Sequence, residues 1–189
     1  MAALRATVCS ANPHKLEEFH DLFPDWDLEL LGRDDFPAED GATYLENALI
    51  KARFGRLVGP SERWMLADDS GIEAAALAGG PGVQTARWAE GRHVEKLLSA
   101  LDGVADRRAQ YVCELVCVAP DRRELRGTGL LRGRIAAAPA GTEGFGFDPV
   151  FVPDGEERTV AELGDAWKAE HSHRALAARA LRDAIGCLR

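Results

Sequence analysis

A chain of 189 residues that is 46% apolar has the material for one real core and is too rich in it for disorder. Its net charge of −8 and pI near 5.2 set it against sequence-independent binding to DNA or RNA, which needs lysine and arginine on the phosphates, although a few local basic residues can still serve a small phosphorylated ligand. No apolar run is long enough for a membrane span, and Met1 to Ser10 lacks the apolar stretch of a signal peptide; Cys9, Cys113, Cys117 and Cys187, without zinc-site spacing, read as reduced and mostly buried thiols of a cytoplasmic protein.

Taken in order, Leu4 to Cys9 reads as a short strand, and Ser10 to Lys15 as a polar turn into a helix. Pro13 suits the first turn of that helix, and Leu16, Phe19, Leu22 and Phe23 recur at its period. Asp27 to Leu31 reads as a second strand, and residues 33–41 as an acidic loop carrying Asp34, Asp35, Glu39 and Asp40. The clearest helix covers Ala42 to Val58, with Leu45, Ala48, Leu49 and Ala52 as its apolar face and Gly59-Pro60 as its stop. Trp64 to Ala67 is a strand that ends at a carboxylate pair, and residues 78–82 form a tight glycine-rich turn. Val94 to Leu101 is a short helix. Tyr111 to Ala119 and Glu124 to Ile135 make a long hairpin around Pro120 to Arg123, suited to a protruding lobe. A glycine-rich loop at residues 138–149 and a closing helix from Ser172 to Ile185, stopped by Gly186, complete the chain. Strands alternate with helices in the first half, so the class is α/β, as one domain or one domain with a small lobe.

Polar clusters interrupt this pattern. Ala67-Asp68-Asp69-Ser70-Gly71 sets two carboxylates where a strand runs out, which is where α/β proteins place ligands. Neighbouring strand residues face opposite sides, so at most one of the two faces the core cheaply, and the other can hold a hard cation such as Mg²⁺. The same residues are also good turn chemistry. Ser10-x-Asn12-x-x-Lys15 gathers a hydroxyl, an amide and an ammonium at a helix start, where N–H groups favour an anion; the plain alternative is an N-cap with a solvated lysine. Asn47 and Lys51, beside Glu46, share one helix face at i,i+4 and by themselves read as solvated. In Gly144-Phe145-Gly146-Phe147-Asp148-Pro149, two aromatics flanked by glycines offer a base a flat face, with Asp148 accepting from ring N–H groups; equally, the phenylalanines could reach back into the core. Lys168 with Ser172-His173-Arg174 puts two cations and an imidazole near a helix start, suited to phosphate or base oxygens.

The ordered set of these clusters resembles the inosine triphosphate pyrophosphatase family, the RdgB-type hydrolases that remove deaminated purine nucleotides. Ser10, Asn12, Lys15 and Glu17 match its first block, and Thr43 to Ala48 with Lys51-Ala52 its helix motif. Ala67 to Gly71, Gly80-Pro81-Gly82-Val83 with Ala86-Arg87, Gly144 to Pro149, Ala161-Glu162-Leu163, Lys168 and Ser172-His173-Arg174 follow in the family's order over nearly the whole chain. The chain departs from the pattern at Phe147, where tyrosine is commoner, at Ala38 beside Glu39, at Gln110, where arginine is frequent, and in a short stretch from Trp88 to Val94.

The resemblance implies an elongated mixed β-sheet with flanking helices, two lobes and a central cleft, built as one domain over residues 1–189. It implies a homodimer that hydrolyses ITP, dITP and XTP to the monophosphate and pyrophosphate with Mg²⁺, keeping these nucleotides out of DNA and RNA. Carried over, Ser10, Ala11, Asn12, Pro13, His14, Lys15 and Ser70 contact the triphosphate. Asp69 is the metal ligand and proton acceptor, with Glu39 as a further ligand; Phe145, Gly146, Phe147, Asp148, Lys168, His173 and Arg174 hold chiefly the base. Two other readings compete: a Maf-like pyrophosphatase for modified pyrimidine nucleotides, and a sensor that binds nucleotide without turnover. The Gly-Phe-Gly-Phe-Asp and Ser-His-Arg blocks speak against the first, and Asp68-Asp69 with Lys15 against the second.

Overall fold

Helix and strand periods alternate along the chain and set the order of its elements. The computed structural model describes residues 3–12, 14–88 and 91–187. In it β1 (Arg5–Val8) leads to α1 (His14–Leu22), β2 (Asp27–Leu30), α2 (Tyr44–Val58) and β3 (Trp64–Ala74). Short helical turns then lead through α3 (Thr85–Trp88) to α4 (His93–Ala100), β4 (Arg108–Val118), β5 (Glu124–Ile135) and β6 (Phe151–Pro153). The chain closes with α5 (Val160–Leu163), α6 (Asp165–His171) and α7 (His173–Gly186). The reading of Pro13 as a first-turn residue falls outside the described residues, as do positions 89 and 90 of the short 88–94 stretch.

Six strands form one sheet in the order β2-β1-β3-β4-β5-β6. β1 pairs in parallel with β2, Val8 opposite Leu30, and with β3, Val8 opposite Leu66; β5 and β6 pair antiparallel, Ile135 opposite Phe151. The sheet is therefore mixed and the class α/β, as expected.

The structure corrects the sequence reading in three places. β3 does not end at Ala67 but runs on to Ala74, so Asp68-Asp69-Ser70-Gly71 is strand and not turn. The β4–β5 hairpin is no appendage, because its strands are the fourth and fifth of the sheet itself. The Asn47–Lys51 face of α2 is buried and not solvated. The helix starts one residue after Thr43, whose hydroxyl accepts from Glu46 N while the Glu46 carboxylate accepts from Thr43 N. The same box at Thr159 and Glu162 starts α5, which the sequence reading missed along with β6, α3 and α6.

The chain divides into two compact units. The first comprises Met1–Asp69, Cys113–Gly129 and Leu176–Arg189. Alternation along its strands feeds two cores. Ala6, Val8, Leu66, Cys113, Leu115 and Cys117 pack with Phe19 and Phe23 of α1 and with Ala177, Ala178 and Leu181 of α7. Cys9, Met65, Ala67, Val116 and Val118 pack with Ala48 and Ala52 of α2. The helix α7 comes so close to β5 that a Cβ on Gly127 would lie 2.1 Å from the Ala177 carbonyl oxygen. Arg63, 2% exposed, ties the strand starts together. Its guanidinium donates to Thr7 Oγ1 (3.2 Å), Ala6 O (2.8 Å), Asp27 O (2.7 Å) and Asp27 Oδ2 (3.0 Å).

The second unit comprises Ser70–Val112 and Leu130–Ala175. Its core gathers Ile72 and Ala74 of β3, Leu97 and Leu101, Ala109 and Tyr111 of β4, Ile135, Phe147, Val150, Phe151 and Val160. The cysteines are free thiols, with Cys9, Cys113 and Cys117 buried and Cys187 exposed, and burial pushes the Cys9 thiol up to about 12. Among the described residues no helix is long and apolar enough to cross a membrane.

Candidate active site

Because β3 continues through the carboxylate pair, its neighbours Asp68 and Asp69 project to opposite faces. Both are nevertheless buried, 2% and 8% exposed, and each has its own partner in the first unit. Lys15 of α1 donates its Nζ to Asp68 Oδ1 at 2.5 Å. Asn47 of α2 donates Nδ2 to Asp69 Oδ2 at 2.9 Å. The orientation of that amide is set by Gly41, whose N–H donates to Asn47 Oδ1 at 2.8 Å.

One helical turn on, Lys51 Nζ lies 2.5 Å from Glu39 Oε1 and 4.0 Å from Asp69 Oδ1. Burial pulls the Lys51 ammonium down, but the carboxylates of Asp68, Glu39 and Asp69 outweigh it and hold its pKa above the ordinary lysine value. Burial dominates at Asp69 and pushes its carboxyl up from the ordinary 3.8, against the pull of Lys51 and the Asn47 hydrogen bond. Nearby, the Asn12 N–H donates to the Ser10 hydroxyl at 3.0 Å, and Lys15 N donates to Asn12 O at 3.2 Å as α1 begins.

Glu39, Asp68 and Asp69 set against Lys15 and Lys51 leave this cluster one negative charge in excess. A polyphosphate therefore gains there only if a cation accompanies it. The donors are carboxylate oxygens, the chemistry of a hard cation. Among the described residues no three His, Cys, Asp or Glu side chains form a metal cage. Mg²⁺ does not need one, since it keeps several waters and is commonly held by one or two carboxylates together with substrate phosphates. The residues present fit that ion.

The second unit carries a different cluster. Gly144 and Gly146 adopt φ of +75° and +64°, and a Cβ on Gly144 would sit 2.3 Å from Asp148 Oδ2, so the loop closes tightly on the buried Asp148. Asp148 Oδ2 accepts from Phe145 N and from Lys168 Nζ, both at 2.9 Å; its Oδ1 accepts from the Tyr111 hydroxyl at 3.2 Å.

The two phenylalanines divide the alternatives left open by the sequence. Phe145 is 54% exposed, with Lys168 Nζ 3.8 Å from its ring centroid and Arg174 Cζ at 5.6 Å. Phe147 is 3% exposed and packs edge-on against His93 in the core. His173, at the start of α7, is buried and stacks on Tyr111. Arg174 follows it and donates to Ser70 Oγ at 3.0 Å.

The sequence-predicted residues thus gather in two places. Ser10, Asn12, Lys15, Glu39 and Asp69 belong to the first unit; Ser70, Phe145 to Asp148, Lys168, His173 and Arg174 belong to the second. Ala11 and Asn12 are exposed, and His14 opens α1. The contacts made by Asn47, Lys51 and Tyr111 were not expected. An asparagine and a lysine on an otherwise alanine-rich helix stripe were the available signal for the first two.

Comparison with known proteins agrees over nearly the whole length. The Ham1 family model matches residues 6–184. The dITP/XTP pyrophosphatase of Symbiobacterium thermophilum is 42% identical over 186 residues, covering 94% of this chain and 92% of its own. That of Bdellovibrio bacteriovorus is 36% identical over 191 residues, covering 94% and 96%. Among solved structures, the Staphylococcus aureus Ham1 protein superposes with a TM-score of 0.86 at 33% identity, covering 98% of this chain and 100% of the other. A nucleoside-triphosphatase, dITP/XTP pyrophosphatase, from Mycobacterium abscessus gives 0.75 at 36% identity, covering 98% and 100%.

Proposed function

This chain belongs to the Ham1 family, and on that premise we propose that it hydrolyses the non-standard purine nucleotides dITP, XTP and ITP to the monophosphate and pyrophosphate. The observation that carries the reading is the β3 carboxylate pair, buried yet served by Lys15 on one side and Asn47 on the other, in a chain whose relatives bear that activity's name. The whole of residues 1–189 acts as one functional domain, working as a cytoplasmic homodimer.

Attack of water on the α-phosphorus needs negative charge offset on the triphosphate and the water held in line. Lys15, with the Ser10 and Asn12 donors, binds the phosphates, and Lys51 adds charge beside Asp69. Asp69 orients the water and takes its proton. Asp69 and Glu39 would hold Mg²⁺, which when bound offsets triphosphate charge. In the second unit Phe145 offers its exposed ring to the base, and His173 and Lys168 supply donors that favour a 6-oxo group over the 6-amino group of adenine.

The test is pyrophosphate release from dITP, XTP, ITP, GTP and ATP, with and without Mg²⁺. Metal-dependent release confined to the first three is expected. A folded sample that releases none from purines but acts on modified pyrimidine nucleotides would be Maf-like; tight binding of ITP without release would make it a sensor.

Two substitutions probe the parts separately. Glu39→Gln should raise the Mg²⁺ concentration for half-maximal rate by about tenfold with little change at saturating metal. An unchanged metal requirement removes Glu39 from the ligand set. His173→Ala should lower the ITP-to-ATP ratio of kcat/KM by about tenfold or more, which competing-substrate assays measure directly. An unaltered ratio would shift base selection to the Phe145 to Asp148 backbone.

A further inference from the structure

Tyr111 lies in the core of the second unit, yet it touches two groups assigned above to base recognition. Its ring lies flat on His173, with centroids 4.6 Å apart and planes 8° from parallel. Its hydroxyl donates to Asp148 Oδ1 at 3.2 Å. Its ring also packs against Phe151, a fully buried core ring 4.5 Å away, so the core holds the tyrosine beside the two groups it touches.

Asp148 is fully engaged. With Oδ1 on the phenol, Oδ2 faces both Phe145 N and Lys168 Nζ. The phenol thus fixes the rotation of the carboxylate, and the carboxylate fixes the ammonium and the loop that presents Phe145. Burial first, and the neighbouring Asp148 second, push the Tyr111 hydroxyl well above its ordinary pKa, so it stays a neutral donor throughout the working pH range.

We infer that Tyr111 is a positioning residue for base selection, aligning the His173 imidazole through its ring and the Asp148–Lys168 pair through its hydroxyl. The inference rests on the reading of this cluster as the base site. It assigns the two jobs to separable parts of one side chain. A base site that selects by hydrogen bonds is sensitive to sub-ångström placement of its donors, and a rigid aromatic with one polar tip supplies such placement.

Tyr111→Phe keeps the ring and removes the donor. Through looser placement of Asp148 and Lys168 it should raise KM for dITP by about fivefold to tenfold and KM for dATP less, with kcat little changed, so that the dITP-to-dATP ratio of kcat/KM falls. Tyr111→Leu also removes the stack and should lower the dITP-to-dATP ratio of kcat/KM by about tenfold. The ratio decides the matter, because a merely packed tyrosine would, when replaced, lower the folded fraction and so reduce both substrates alike. A wild-type protein active on dITP whose ratio stays unchanged in Tyr111→Phe, and in Tyr111→Leu where it folds, overturns the inference alone. A folded wild type that releases no pyrophosphate from dITP overturns the underlying reading and the inference with it.

Discussion

Asp69→Asn is expected to lower pyrophosphate release from dITP by about a thousandfold or more while the protein remains folded. The amide cannot take a proton from water and is a poor ligand for a hard cation. It can still accept from Asn47 Nδ2, so the local geometry has no reason to collapse. Stability should move the other way. Burial raises the Asp69 pKa above its ordinary 3.8, so the folded chain holds that proton more tightly than the unfolded chain does. The penalty of burying the charge is therefore present above the folded pKa and disappears as pH falls through it towards 3.8. In metal-free buffer the variant should melt above wild type at neutral pH, and the gap should close on acidification. Near-normal turnover would remove Asp69 from the mechanism, and a gap that widens in acid would contradict the burial argument.

Arg63→Met should cost about 3 kcal/mol of stability, a fall in Tm of roughly 6–12 °C for a chain of this size. The guanidinium is buried and serves the Thr7 hydroxyl, two backbone carbonyls and the Asp27 carboxylate, none of which methionine can serve. Its removal also changes the acid response. Arg63 first, then Arg5, hold Asp27 below its ordinary pKa, so Asp27 contributes stability above 3.8 that is lost as pH falls through the lower folded value. With Arg5 alone left, that acid-side loss should be shallower. Melting curves between neutral pH and pH 3 measure both effects, and a drop of under about 1 kcal/mol would show the Arg63 contacts to be replaceable. Activity per folded molecule should be unchanged, since Arg63 touches none of the proposed substrate groups.

The sequence carried the elements with strong periods and clear stops, such as α2 between Thr43 and Gly59, and α7 with its alanines and Leu181. It misjudged β3, because Asp-Asp-Ser-Gly has turn composition; tertiary partners at Lys15 and Asn47 make the same residues tolerable in a buried strand. It misjudged the Asn47–Lys51 face for the same reason, since a lysine is read as solvated until the carboxylates around it are known. The motifs named Asp69, Lys168 and His173 but not Tyr111, whose role depends on what a β-strand side chain meets across the core. Short elements such as β6 and α5 have too few residues to show a period; α5 was legible only through its capping box.

The first unit is assembled from three separate stretches of chain, and α7, from the last of them, supplies Ala177, Ala178, Leu181 and Ile185 to the core around β1. During synthesis β1, α1 and β2 therefore emerge with one apolar face lacking its cover, and they wait until residues 177–185 have been made before it arrives. The interval is a window for chaperone capture or aggregation, governed by translation speed rather than by native stability.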